Sequence, residues 1–346
     1  MDYLDFYGLE REPFSMAPVS KFYFNSSQHS RALVRLMYAV DSMKGLALLI
    51  GDIGTGKTTL ARRMLDSLPE EEYESALLVI IHSGITADWL LERIALQLGV
   101  ENPASDKLTL LNQLYRQLAS LHEKGKKAVV LIDEAQMLQT REIMEEFRGL
   151  LNLEMPESKL ITFVFFGLPE IEDNLKLDSP LEQRVALKYR LEPFNEESTH
   201  GYIHHRLRLA GSHEKIFDDA AAREIHRYSR GIPRLINTIC DNALFEGYLL
   251  RHKEVDAELI KNVVQDLGLG GPSDGTSQEP DERLAGTVQA RHDVAPPQPA
   301  QQVSPQQVQQ AVAPVPTPQP PQQVQPAPKA GNDDDIDDIL DGLEDS

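Results

Sequence analysis

Eight consecutive residues have the types and spacing needed to bind the phosphates of a nucleotide. Residues 51–58 read Gly-Asp-Ile-Gly-Thr-Gly-Lys-Thr, between the apolar run 46–50 and a helical pattern. Glycines permit a turn whose N–H groups converge on a phosphate at the amino end of the next helix. Lys57 would then reach the β- and γ-phosphates, and the Thr58 hydroxyl would be a ligand for Mg²⁺. The predicted nucleotide-binding residues are Gly51, Asp52, Ile53, Gly54, Thr55, Gly56, Lys57, Thr58 and Thr59.

An acidic pair further along the chain supplies the other half of such a site. The apolar run 128–132 is typical of a strand buried on both faces, and it ends at Asp133 and Glu134. Asp133 would hold Mg²⁺, and Glu134 would orient or deprotonate the attacking water. The alternative is a strand followed by a solvated acidic turn, which the phosphate-binding pattern upstream disfavours. We therefore predict Lys57 and Glu134 as catalytic residues, and Thr58 and Asp133 as metal ligands.

Apolar runs alternate with helical patterns from residue 46, which predicts an α/β fold with a parallel sheet flanked by helices. The predicted strands are 46–50, 76–81, 128–132, 160–166 and 185–191, and the helices between them are 58–67, 87–98, 108–123 and 140–152. Ligands bind at the carboxyl ends of such strands, where both motifs fall. After Pro193 only helical patterns follow, which predicts an all-helical lid with helices 196–210, 218–228, 233–250 and 256–266.

The composition divides the chain into five segments. We expect residues 1–45 to form an arm and a helix that pack on the nucleotide domain 46–193. Aromatic residues in the arm are interpreted as core anchors or, alternatively, as part of an adenine pocket. The lid takes residues 194–268. Residues 269–332 become rich in Pro and Gln and are predicted to be a disordered linker.

The last segment, 333–346, is acidic and amphipathic. Ile336, Ile339, Leu340 and Leu343 have the spacing of one helical stripe. This pattern predicts either a segment that folds on a protein partner or a solubilising acidic tail.

Composition also limits the cellular setting and the partners. The formal charge is −20 over 346 residues, which disfavours strong non-specific binding to nucleic acid without excluding it. The one cysteine, Cys240, cannot form an internal disulfide. We recognise no signal peptide and no apolar stretch long enough for a membrane span. A cytoplasmic protein is expected, which only its partners would recruit to the inner membrane.

Several further segments carry a family resemblance. They are 3–9 (Tyr-Leu-Asp-Phe-Tyr-Gly-Leu), 13–14 (Pro-Phe), 167–171 (Gly-Leu-Pro-Glu-Ile), 181–185 (Leu-Glu-Gln-Arg-Val) and 231–237 (Gly-Ile-Pro-Arg-Leu-Ile-Asn). With the two nucleotide motifs and the lid, the chain resembles the AAA+ P-loop ATPases. Within them, over about residues 1–268, it is similar to the ExeA/GspA family (general secretion pathway protein A, MshM-like) of secretion and pilus-assembly ATPases.

The resemblance implies two further catalytic residues. Arg184 matches an arginine finger that reaches the γ-phosphate of a neighbouring subunit, and Arg234 matches the second sensor, which couples the lid to the nucleotide. Positive charge at these points would stabilise the transition state of phosphoryl transfer. A finger supplied in trans implies a homo-oligomer that forms with ATP.

The chain departs from the family pattern at Leu168, where members commonly have a polar residue that helps to position water. Nucleotide binding should survive this difference, but unassisted turnover could be slow. Longer members also carry a membrane span and a peptidoglycan-binding region. Here the Pro/Gln-rich linker and the acidic segment stand in that place, so no direct cell-wall role is expected.

Three functions are therefore weighed. The first is an ATP-hydrolysing AAA+ protein with Mg²⁺ that oligomerises and assists a bacterial envelope machine, either a type II secretion system or a type IV pilus-like system. The second is a DNA-dependent transposition regulator of the TniB or MuB type, against which the acidic charge counts. The third is a nucleotide-gated scaffold with negligible hydrolysis. A cluster of lid arginines is interpreted as solvated surface rather than a nucleic-acid footprint: Arg206, Arg208, Arg227 and Arg230.

Overall fold

The computed structural model describes residues 2–15, 22–156, 158–212 and 214–269. The predicted linker from residue 270 onward and the acidic segment 333–346 lie outside them. The helices are α1 Tyr3–Tyr7, α2 Ser27–Asp41, α3 Lys57–Leu65, α4 Ala87–Gln97, α5 Lys107–Glu123, α6 Arg141–Leu150, α7 Ile171–Leu175, α8 Ser179–Glu182, α9 Glu196–Leu209, α10 Asp219–Ser229, α11 Pro233–Leu249 and α12 Ala257–Asp266. The strands are β1 Leu46–Gly51, β2 Tyr73–Val79, β3 Lys127–Asp133, β4 Glu154–Met155, β5 Ser158–Lys159, β6 Ile161–Gly167 and β7 Val185–Leu191.

Five strands form one parallel sheet in the order β2-β3-β6-β1-β7, and β4 pairs with β5 in a small separate hairpin. β1 and β6 are buried along their whole length, as expected for central strands covered on both faces. β7 is an edge strand with alternating exposure. The predicted α/β fold with helices on both faces of a parallel sheet is confirmed.

The two faces of the sheet pack against different helices because each strand projects side chains alternately to either side. One hydrophobic cluster joins the sheet to α4, α5 and α6, with Phe147, Phe163 and Phe165 in close edge-to-face contact. The other cluster joins it to α2 and α3. This arrangement brings the carboxyl ends of β1, β3 and β6 to one edge of the sheet.

The lid consists of α9 to α12 around a third hydrophobic cluster. Part of the N-terminal segment belongs to this cluster, which corrects our prediction that residues 1–45 pack on the nucleotide domain. α2 does pack there, but Phe6, Tyr7, Leu9 and Phe14 are buried in the lid. The physical reason is that these aromatic and apolar side chains fill a core that the lid helices share, and nothing in their sequence pattern distinguishes one core from the other.

The main chain passes between lid and nucleotide domain at two neighbouring places. The first crossing lies near Phe24, whose ring packs against the lid residues Phe194 and Tyr202 just before α2 begins. The second follows β7 at Glu192. The Gln28 side chain joins them, because its Nε2 donates to the Glu192 carbonyl at 2.7 Å and its Oε1 accepts from the Glu192 N–H at 3.1 Å.

None of the helices within the described ranges is both long enough and apolar enough to span a bilayer.

Candidate nucleotide site

A cavity of about 580 Å³ lies between the carboxyl edge of the sheet and the lid. Its wall includes the phosphate-binding loop, Glu134, Leu168 and Arg234. Of the nine predicted nucleotide-binding residues, seven line it directly. Gly51 and Asp52 stand behind them and face Lys57 with their carbonyl groups. The structure therefore gathers the predicted loop around one space large enough for a nucleotide.

Glycine is required in the phosphate-binding loop for reasons of space and backbone conformation. Gly54 has a φ of 81° and Gly56 has a φ of 101°. A Cβ on Gly54 would lie 2.8 Å from Cβ of Arg234, and a Cβ on Gly51 would lie 2.7 Å from the Leu191 carbonyl oxygen. The loop therefore touches both the lid and the neighbouring strand through bare backbone.

α3 begins at Lys57, directly after Gly56, and no side chain caps its amino end. Its first N–H groups thus remain available for an anion at the positive end of the helix dipole.

Lys57 is buried, with 8% of its surface exposed. Its Nζ donates to the carbonyl oxygens of Gly51 and Asp52, both at 2.9 Å. Burial lowers the pKa of the ammonium group, and the carboxylates of Glu134 and Asp133 oppose that shift. Phosphate oxygens would provide stronger, charge-assisted acceptors than these carbonyls.

Asp133 ends β3 with only 1% of its surface exposed. Among the described residues, none forms a hydrogen bond of ordinary geometry to either carboxylate oxygen. Burial raises the pKa of this carboxyl group, while the nearby Thr58 hydroxyl and Glu134 N–H oppose that shift. A buried carboxylate is costly unless hydrogen-bond donors or a cation compensate its charge. The pairing of this carboxylate with a hydroxyl therefore fits the oxygen ligands that Mg²⁺ prefers.

Glu134 follows in a left-handed conformation, with φ 56° and ψ 37°. This conformation is uncommon for a residue with a side chain and carries strain of about 1 kcal/mol. Its Oε2 accepts a hydrogen bond from Nε2 of Gln136 at 2.5 Å, and Oε1 of Gln136 accepts from the Leu168 N–H at 3.1 Å. We did not predict Gln136 as a site residue, although its position two residues after Glu134 in the sequence offered a signal.

The two arginines occupy different places. Arg234, at the start of α11, lines the cavity, and its N–H donates to the Gly54 carbonyl at 3.3 Å. Arg184 lies at the other end of the sheet, just before β7, where its guanidinium donates to the Arg148 carbonyl at 3.4 Å. The seven residues of β7 separate it from the nucleotide-binding edge of the sheet by about 20 Å. Arg184 therefore does not share a site with Lys57 of its own chain.

Five aromatic residues form part of the cavity wall. Phe22, Tyr23 and Phe24 come from the N-terminal segment, and Phe194 and Tyr202 come from the lid and its connection. The Tyr23 hydroxyl is buried without a partner among the described residues. The N-terminal segment and the lid thus both line the space that we predicted as an adenine pocket. That adenine binds there stays a prediction.

His29 ties α2 to the phosphate-binding loop. Its Nδ1 lies 2.7 Å from Oγ of Ser26, and its Nε2 lies 3.1 Å from the point where a Cβ on Gly56 would stand. Burial lowers the pKa of His29 to about 4, and a hydrogen bond with the Thr55 backbone opposes that shift. A neutral imidazole therefore supports the loop at physiological pH.

Arg206 corrects the interpretation of the lid arginines as solvated surface. It is 6% exposed, and it donates from Nε to the Pro13 carbonyl at 2.5 Å and from Nη2 to the Ser15 carbonyl at 2.9 Å. Its guanidinium carbon also lies 4.5 Å from the ring centre of Phe22. The side chain is buried because it satisfies the carbonyl groups of the N-terminal segment, which sequence spacing did not indicate.

Residues 40–175 match the AAA domain family. The chain is 38% identical over 262 residues to General secretion pathway protein A of Aeromonas hydrophila, a match that covers 74% of this chain and 47% of the relative. The chain thus spans about half the length of that relative.

Solved structures show the same fold. The ORC2 protein of Aeropyrum pernix matches with a TM-score of 0.55 and 15% identity, covering 74% of this chain and 72% of that one. A Walker-type ATPase of Pyrococcus abyssi matches with a TM-score of 0.52 and 20% identity, covering 74% and 76%. Together with the sequence match, these comparisons confirm the resemblance we recognised, and the chain is an AAA+ protein related to General secretion pathway protein A.

Proposed function

We propose that this protein binds ATP with Mg²⁺ and hydrolyses it to ADP and phosphate. The observation that carries the proposal is that Lys57, Glu134 and Arg234 line one cavity together with the phosphate-binding loop, while Asp133 lies buried beside Thr58. Asp133 supports it further, because its buried carboxyl group lies beside the Thr58 hydroxyl, and the two together offer oxygen ligands for a cation. Thr58 and Asp133 would hold Mg²⁺, which would neutralise charge on the β- and γ-phosphates.

Each residue of this site has a step to perform. The ammonium of Lys57 exchanges its two carbonyl acceptors for phosphate oxygens. The Glu134 carboxylate accepts a proton from water as the water oxygen bonds to the γ-phosphorus. The bond from the γ-phosphorus to the bridging oxygen breaks, and ADP leaves with that oxygen. Arg234 connects the lid to this event, because its backbone contacts Gly54 and its side chain lines the cavity.

The protein is further proposed to act as a homo-oligomer in which Arg184 completes the site of a neighbouring subunit. The distance of Arg184 from its own cavity supports this arrangement. In the cell it would assist a bacterial secretion or pilus-like machine from the cytoplasmic side, as the relation to General secretion pathway protein A suggests. The segment 333–346 is proposed to recruit a protein partner.

The test is steady-state hydrolysis of Mg-ATP over a range of protein concentrations, with and without duplex DNA, and with Glu134→Gln as the blank. A rate per subunit that rises with concentration and ignores DNA is the expected result. Lys57→Ala should lose nucleotide binding, whereas Glu134→Gln should retain ATP and hold the oligomer together. A rate that appears only with DNA would favour a transposition regulator instead, and no rate above the blank would favour a scaffold.

A mixing experiment tests the role of Arg184. An Arg184→Ala subunit keeps its own nucleotide site but supplies no arginine finger to its neighbour. A Glu134→Gln subunit supplies the finger but cannot hydrolyse ATP in its own site. Each should be inactive alone, and a mixture should recover part of the wild-type rate. Arg190→Ala, which removes an exposed arginine from β7, is the matched control and should behave as wild type. Failure of the mixture to gain activity would refute a finger in trans.

A further inference from the structure

Leu168 leaves the end of β6 without a polar side chain of its own, yet the turn that follows β3 places a polar side chain there. Gln136 lies in the short 3-10 turn Ala135–Met137 after β3, and its side chain reaches across to β6. There its Oε1 accepts the Leu168 N–H at 3.1 Å while its Nε2 donates to Glu134 at 2.5 Å. A single amide thus connects the proposed water-activating carboxylate to the neighbouring strand.

Gln136 lines the cavity, but hydrogen bonds at both ends of its amide and at its backbone carbonyl fix the direction of the amide. It is 6% exposed, and its own carbonyl accepts from Nδ2 of Asn174 at 2.8 Å. A Cβ on Gly167 would lie 3.3 Å from both the backbone nitrogen and Oε1 of Gln136, so β6 approaches it closely through glycine. Because Nε2 of Gln136 donates to Glu134 and Oε1 accepts from Leu168, rotation of the amide would break two hydrogen bonds in a buried place.

We propose that Gln136 is the positioning residue for Glu134. The amide fixes the plane of the carboxylate by holding Oε2, and it leaves Oε1 available to the attacking water. Glu134 itself stands on a strained left-handed backbone, and Gln136 holds its side chain through Oε2. A carboxylate held in one direction is what an oriented attack by water requires. Oε1 then accepts the proton that water loses as the water oxygen bonds to the γ-phosphorus and the bridging oxygen leaves with ADP.

This arrangement also accounts for Leu168. The backbone N–H of Leu168, rather than its side chain, takes part in the hydrogen-bond chain. An apolar side chain at that position is therefore compatible with turnover, because the polar group comes from the turn that follows β3. The inference rests on the proposed ATP hydrolysis and identifies what orients its general base.

The experiment compares Gln136→Leu and Gln136→His with wild type. Leucine has a similar size but can neither donate nor accept, whereas a neutral imidazole offers a donor and an acceptor on opposite ring atoms. Gln97→Leu, at an exposed glutamine at the end of α4, is the matched control. For each protein, thermal unfolding shows that it is folded, titration with a fluorescent ATP analogue gives Kd, and steady-state assays give kcat at saturating Mg-ATP.

For Gln136→Leu we expect kcat to fall by about 10- to 100-fold with Kd unchanged within about threefold, because only the transition state needs an oriented carboxylate. Gln136→His should recover most of kcat, and Gln97→Leu should match wild type. An unchanged kcat in Gln136→Leu would overturn the positioning role alone. So would a rise in Kd as large as the fall in kcat, if Gln136→His restored neither. Absence of wild-type turnover above the Glu134→Gln blank would overturn the proposed function as well.

Discussion

The burial of His29 makes the stability of this protein depend on pH in a calculable way. The pKa of His29 is lowered from 6.5 to about 4 in the folded protein, chiefly by burial, against the opposing bond with the Thr55 backbone. Between these two values the unfolded chain binds more protons than the folded one, so stability rises with pH in this window and falls on acidification. Moving from pH 7 to pH 5 should remove about 2 kcal/mol, and the full effect below pH 4 is about 3 kcal/mol.

His29→Gln isolates this contribution, because glutamine does not titrate. Urea unfolding of both proteins at pH 7 and pH 5 gives the free energy of unfolding in each case. The loss of stability between the two pH values should be about 2 kcal/mol smaller in His29→Gln than in wild type. His122→Gln removes an exposed histidine at the end of α5 and controls for the substitution. Equal losses in wild type and His29→Gln, within about 0.5 kcal/mol, would refute the assignment of a neutral, buried imidazole.

Two further predictions concern the phosphate-binding end of the cavity. Asp133→Asn should stabilise the nucleotide-free protein by about 1–3 kcal/mol, since burial disfavours the charged carboxylate more than its neighbours compensate it, while thermal unfolding should no longer respond to Mg-ATP. A variant less stable than wild type without nucleotide would contradict this reasoning. Gly54→Ala should weaken nucleotide binding by about tenfold or more, because the new Cβ meets Arg234 in addition to the strain of a positive φ. The control is Gly125→Ala, where φ is also positive but nothing lies within 4 Å, and an equal loss of affinity there would refute the role of the loop-to-lid contact.

The fold was predictable because the signals for it are local. The central strands β1, β3 and β6 are apolar runs, the edge strand β7 alternates apolar and polar residues, and each long helix has a helical pattern. The order of these patterns specified the parallel sheet and the lid. The phosphate-binding loop was equally accessible, because glycine, lysine and threonine at fixed spacing have few other uses. The short elements α1, α7 and α8 and the β4–β5 hairpin carry too few residues for a period to be visible.

Contacts between distant segments were not predictable in the same way. Nothing local to Arg206 indicated that its guanidinium would meet carbonyl groups about 190 residues earlier in the chain. The same is true of Phe6 and Phe14. Their apolar character predicts that they are buried, but it does not indicate whether they are buried in the lid or in the nucleotide domain. Gln136 is an intermediate case: its proximity to Glu134 was visible, but its bond to the backbone of Leu168 depends on strand order.

The pair of connections joined by Gln28 constrains how the lid can move. With a single connecting segment the lid could rotate about several axes. Two neighbouring segments act as a hinge, which favours rotation about one axis and resists twisting of the lid relative to the nucleotide domain. The bidentate contact between Gln28 and Glu192 joins the two links and favours one separation between them. Rotation about that axis changes the gap between Arg234 and the phosphate-binding loop, while sideways sliding is resisted. Each time the lid closed, Arg234 would thus return to the same position relative to the phosphate-binding loop, whether or not a nucleotide is bound.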